Sequence, residues 1–253
     1  MDMINSIYSD LIANIIFTLL IIGIGWTMHY ATERRKLLKF FNISTSKRLV
    51  IYLSNIRVKS GGSIGTDNIP RGYSGTTVVL NELMTANKFK ESFNYLAPAL
   101  SDSPKFLSKI LFADIKVTIV PSVLNSSEIE NQTTVISFGS PGYNVVSSEI
   151  EKDFKSRVKF TNDNSKITVN NIPDISDSDN GFVQRIVDIQ KGRSTFYVAG
   201  LSEKGTVGAA TFLSKNWKML NKKYSNDKSF IVMLRFSTDS FDNWTIDFEK
   251  EVI

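Results

Sequence analysis

The chain is 253 residues with a net charge of +5, 42% hydrophobic and 22% charged residues, and a mean hydropathy of −0.07. This is the profile of a folded chain with a sizeable core. No cysteine and a single histidine, His29, exclude disulfide frameworks, thiolate or histidine zinc sites and cysteine hydrolases, and disfavour a Ser–His hydrolase.

Leu11 to Tyr30 reads LIANIIFTLLIIGIGWTMHY, 20 residues without a charge. As a helix this run spans roughly the 30 Å hydrocarbon core of a bilayer. Tyr8 flanks one end and Trp26 and Tyr30 the other, as interfacial aromatics do. The acids Asp2, Asp10 and Glu33 precede the cations Arg34, Arg35, Lys36, Lys39, Lys47 and Arg48. A signal peptide has its cations first. The positive-inside rule therefore predicts a single-pass protein of the cell inner membrane, with its N-terminus outside and the rest cytoplasmic. Asn14, Gly23 and Gly25 are the candidate helix–helix contacts within the bilayer, where polar and small residues join helices into a homo-oligomer.

The expected organisation is an N-terminal segment, 1–32, carrying a transmembrane helix at 11–30. A basic juxtamembrane linker at 33–47 and a cytoplasmic α/β sensor domain at 48–253 follow. RLVIYLSNIRV (48–58) predicts a strand, and the loop after it carries Gly61, Gly62 and Gly65. A helix with Thr76 or Thr77 as cap is expected over 76–96. Glu82 on it is the best-placed carboxylate for acid–base work, and otherwise reads as solvated or helix-pairing. Strands are expected at 114–123 and from Thr133, the latter ending in FGSPGYN (138–144), with a helix from Val145. RVKFT, KITVN and FVQRIVDIQ predict antiparallel strands or hairpins, and STFYVAGL (194–201) a central, doubly covered strand. A helix with a buried face at Val207, Ala210, Leu213, Trp217 and Leu220 follows, and two strands close the chain. This alternation predicts a three-layer α/β fold with a mostly parallel sheet and antiparallel additions.

Two segments have the strand–glycine loop–helix form that suits an anion at a helix N-terminus. The first supplies Gly139, Ser140, Gly142 and Asn144; the second supplies Gly200, Ser202, Lys204, Gly205 and Thr206. Gly139 and Gly142 permit positive φ and close approach of a ligand. The first segment also reads as a plain tight turn with Asn144 capping the helix. Neither matches a Walker or GxGxxG spacing, so neither specifies a nucleotide. No catalytic residue, resident cofactor or metal is assigned.

VISFGSPGYNVVSSEI followed by FYVAGLSEKGTVGAATFL resembles a Rossmann-like glycine-loop domain of prokaryotic S-layer-type proteins. It also looks like the nucleotide-sensing SLOG-type domains of bacterial immune effectors. An S-layer role conflicts with the cytoplasmic topology. A single N-terminal helix on such a sensor is instead similar to membrane-acting antiphage effectors such as the Hailong class. That resemblance implies a nucleotide-like small ligand or short oligonucleotide, a partner nucleotidyltransferase supplying it, and an oligomeric membrane pore as output. Two alternatives stand beside it. One is a membrane-tethered enzyme acting on a nucleotide or nucleotide sugar through Glu82 or Glu203; the other is a ligand-free structural membrane protein. The scarcity of histidine and the lack of a paired carboxylate motif favour sensing over catalysis.

Overall fold

The structure is a computed structural model describing residues 2–43, 48–57, 76–95, 117–122, 134–153, 155–169, 172–237, 240 and 243–252. It is a mixed α/β protein with one long apolar N-terminal helix, α1 (Asp2–Phe40). From Leu11 onward this helix is long and apolar enough to cross a membrane, and its most apolar part packs against nothing among the described residues. Its large apolar side chains between Leu11 and Met28 stay half exposed or more.

The other end of α1 behaves differently. Leu37, Phe40, Phe41 and Ile43 are buried in the main core, so part of segment 33–47 is core. Asn42 stops the helix with φ +52, while the Ile43 amide donates to the Leu38 carbonyl at 2.8 Å. A left-handed residue just past a helix satisfies its last carbonyls in this way. Arg185, fully buried, donates to the carbonyls of Phe40, Ser225 and Lys228. Its guanidinium lies 5.2 Å from the Phe40 ring centre and 5.0 Å from that of Phe230. Charge and aromatic faces together clamp the end of α1 onto the sheet.

Among the described residues the main sheet has seven strands: β1 (Leu49–Leu53), β4 (Val117–Pro121), β5 (Thr134–Phe138), β9 (Asn180–Asp188), β10 (Arg193–Gly200), β11 (Ser229–Phe236) and β12 (Trp244–Val252). Their order is β12-β11-β9-β10-β5-β1-β4. The four from β10 to β4 are parallel, and β9, β11 and β12 extend the sheet antiparallel. β10 is therefore central and almost wholly buried, as expected of its apolar run. Two short strands, β2 (Asn55–Arg57) and β3 (Thr76–Val78), pair antiparallel; β6 (Val158–Phe160), β7 (Ile167–Val169) and β8 (Ile172–Ile175) form a separate antiparallel sheet.

Alternate residues of the main sheet face opposite ways. Leu49, Ile51 and Leu53 join one cluster with α1, α2 (Leu80–Tyr95) and α4 (Glu203–Lys223). Val50 and Tyr52 join a second cluster with α3 (Val145–Lys152) and the small sheet. α2 buries Ala86, Phe89 and Phe93 at helical spacing, and α4 buries Val207, Ala210, Leu213, Trp217 and Leu220. The expected helix start at Thr76 or Thr77 is corrected: both residues lie in β3, and the helix begins at Leu80. Threonine is β-branched and suits the strand.

Candidate ligand-binding site

The chain leaves β1 for β4 on one side and for β5 and β10 on the other. Chain reversal of this kind opens a crevice at the strands' carboxyl ends. A pocket of about 340 Å³ sits there, lined by Ser54 after β1, Gly139 and Ser140 after β5, Gly200 after β10, and Glu203 and Thr206 of α4. Small-molecule sites run from about 300 to 1,000 Å³. Val79, Tyr143, Leu201 and Ser202 complete the walls, and Glu82 from the first turn of α2 closes the base.

Glu82 is 3% exposed. The Ser54 amide donates to Oε2 at 2.9 Å, and the Ser54 hydroxyl donates to Oε1 at 2.9 Å. Burial nevertheless dominates and pushes the carboxyl up to about 7, the two hydrogen bonds only partly opposing it; neighbouring Glu203 pushes the same way. The reading of Glu82 as solvated is thus corrected. Its partner stands 28 residues away in sequence, at the end of a strand. Glu203 in turn accepts from the Asn81 side chain at 2.7 Å, joining α2 to α4 across the pocket mouth.

Gly139 has φ +98, and a Cβ there would lie 2.0 Å from the Ser54 hydroxyl oxygen. The absent side chain makes room for the Ser54–Glu82 pair. Gly142 is not among the positive-φ glycines and faces Asn164, outside the pocket lining. A Cβ on Gly205 would lie 2.3 Å from the Asn180 carbonyl oxygen, so this glycine lets α4 approach the end of the sheet.

Asn144 is fully buried and caps α3, accepting from the amides of Val146 and Ser147 and donating to the Phe138 carbonyl at 2.7 Å. Ser202 caps α4 by accepting from the Gly205 amide at 3.1 Å, and its hydroxyl donates to the Ser178 carbonyl. Thr206 accepts from the Gly200 amide at 3.1 Å. Lys204 points to Asp179 at 2.9 Å. Of the nine residues expected from sequence, Gly139, Ser140, Gly200, Ser202 and Thr206 line the pocket, while Gly142, Asn144, Lys204 and Gly205 lie off its lining. Tyr143 and Leu201 lie within the two predicted loops, whereas Ser54 and Val79 lie outside them; Ser54 was detectable as the polar residue ending an apolar strand.

In the apolar half of α1, a Cβ built on Gly23 or Gly25 meets nothing within 4 Å, so both face open space. The carbonyls of Asn14 and Gly23 accept from the hydroxyls of Thr18 and Thr27, each at 2.8 Å. The third glycine loop, Gly61 to Asp67, lies outside the described residues. Among the described residues no group of three acidic, histidine or cysteine side chains converges to hold a metal. Compared with protein-family models, curated proteins and solved structures, the chain matches none.

Proposed function

We propose that this chain is a membrane-anchored effector of antiphage defence. Its α/β domain, read as a Rossmann-like three-layer fold on the cytoplasmic side of the inner membrane, takes a nucleotide-like ligand. It then controls an oligomeric pore of α1 helices. The observation that carries the reading is α4. Its first turn lines the pocket, while further along Lys218 pairs with Glu33 of α1 at 2.6 Å and Trp217 packs toward Phe40. Fifteen residues separate Glu203 from Lys218, about 22 Å of helix. A shift at the pocket therefore has a direct lever to the membrane helix. A single helix cannot enclose a water path, so output requires several copies. Ligand acts through its differential affinity for two assembled states.

Bacteria expressing the full chain, a chain lacking residues 1–32, or Ser140→Trp test this with a membrane-potential dye. Depolarisation is expected from the full chain only, because the truncation removes the anchor and the tryptophan fills the pocket. A truncated chain as active as the full one contradicts the effector reading.

One observation favours the tethered-enzyme alternative: Glu82 sits in the pocket with a carboxyl near neutrality, where general acids and bases work best. Turnover of a nucleotide sugar that Glu82→Gln abolishes while ligand still binds would establish it.

A further inference from the structure

The amides that a phosphate would use at this pocket are largely engaged. Those of Gly139, Tyr143, Asn144, Leu201 and Thr206 donate to backbone carbonyls. Those of Val146, Ser147, Gly200 and Gly205 donate to the capping side chains of Asn144, Thr206 and Ser202. Lys204 is paired with Asp179, and among the described residues no lysine or arginine lines the cavity. The charged side chains among the described lining residues are Glu82 and Glu203, which are acceptors when ionised.

A carboxylate offers about four lone-pair sites, and two of those on Glu82 take the Ser54 amide and hydroxyl. The remaining pair, one on each oxygen, matches two adjacent hydroxyl donors. Beside them stand apolar and aromatic surfaces: Val79, Leu201 and the Tyr143 ring, which is 59% exposed. Planar bases stack on such rings. Among the described residues, no group of acidic side chains here supplies the several ligands a metal takes.

We infer that this pocket binds a ribonucleoside moiety, its vicinal sugar hydroxyls donating to the Glu82 carboxylate and its base lying on Tyr143, Leu201 and Val79. The inference rests on the pocket being the ligand site, and it places any phosphate of the ligand away from Glu82. It moves recognition from the glycine loops to a carboxylate between β1 and α2.

Isothermal titration of the full chain in detergent tests it, with adenosine, guanosine, cytidine, uridine, their 2′,3′-dideoxy counterparts and inorganic pyrophosphate as probes. At least one ribonucleoside should bind, and its dideoxy form should bind about ten-fold or more weakly, since buried acceptors are then left unpaired. Glu82→Gln should lose a comparable factor for the ribonucleoside while retaining a cooperative melt. Binding of no ribonucleoside, or equal binding of the dideoxy form, overturns the inference. So does displacement of the ribonucleoside by pyrophosphate. Ser140→Trp separates the two levels. If it abolishes binding while the dideoxy form binds equally, the pocket stands and the diol contact falls. If ribonucleoside binding survives it, the pocket assignment itself fails.

Discussion

The two halves of α1 share one helix and opposite surroundings. Between Leu11 and Met28 the apolar side chains face outward with no packing partner among the described residues, whereas Leu37 and Phe40, with Phe41 just past the helix, are among its most buried residues. Hydrophobicity alone does not distinguish the two; what surrounds each half does. The outer half is long and apolar enough to cross a membrane, and the inner half is buried in the α/β core. A helix whose last turn is a core element moves with the domain, unlike one tied through a flexible linker.

The largest effect expected from this contrast is at Phe40. Phe40→Ala should destabilise the domain by roughly 3–5 kcal/mol through the cavity left against Phe196, Trp217 and Phe230. Leu20→Ala should change domain stability by less than about 0.5 kcal/mol. Urea unfolding of both variants in detergent checks this, and equal losses would erase the distinction.

The pocket supplies a control remote from α1. Glu82 has a raised carboxyl, so the folded state binds more protons than the unfolded one between about 4.5 and 7. Its contribution to stability is fully present below about 4.5 and lost as pH rises through about 7. Glu82→Gln should flatten that slope and add up to about 3 kcal/mol at pH 8. The gain should be the same with and without residues 1–32; a gain confined to the full chain would mean that anchor and pocket are not separable. Asn144→Ala should cost about 1–2 kcal/mol by uncapping α3, again regardless of the anchor.

Local patterns made much of this legible. The apolar run of β10, the buried stripe of α4, and the caps Asn144 and Ser202 all depend on near neighbours in sequence. Glu82 was not legible because its burial comes from Ser54 across the fold, and nothing in Leu80-Asn81-Glu82-Leu83 signals that contact. The inner half of α1 was masked in another way. Leu37, Phe40 and Phe41 alternate with Arg34, Arg35, Lys36 and Lys39, which by themselves read as a basic membrane-surface segment. The sheet order is equally opaque to local signals, since β5 pairs with both β1 and β10.

The smallest effect on stability, and the most direct test of the account, concerns the Lys218–Glu33 pair where α4 meets α1. Lys218 is 65% exposed, while Glu33 is 14% exposed and also holds Lys36; a pair with one solvated partner contributes about 1 kcal/mol to stability, so reversing it should leave the fold intact. Membrane potential should be followed in cells expressing Lys218→Glu, Glu33→Lys and the double reversal. If α4 carries the signal, each single reversal weakens depolarisation while the chain still inserts, and the double reversal restores it. Full depolarisation by both single variants would contradict transmission from pocket to membrane through this contact.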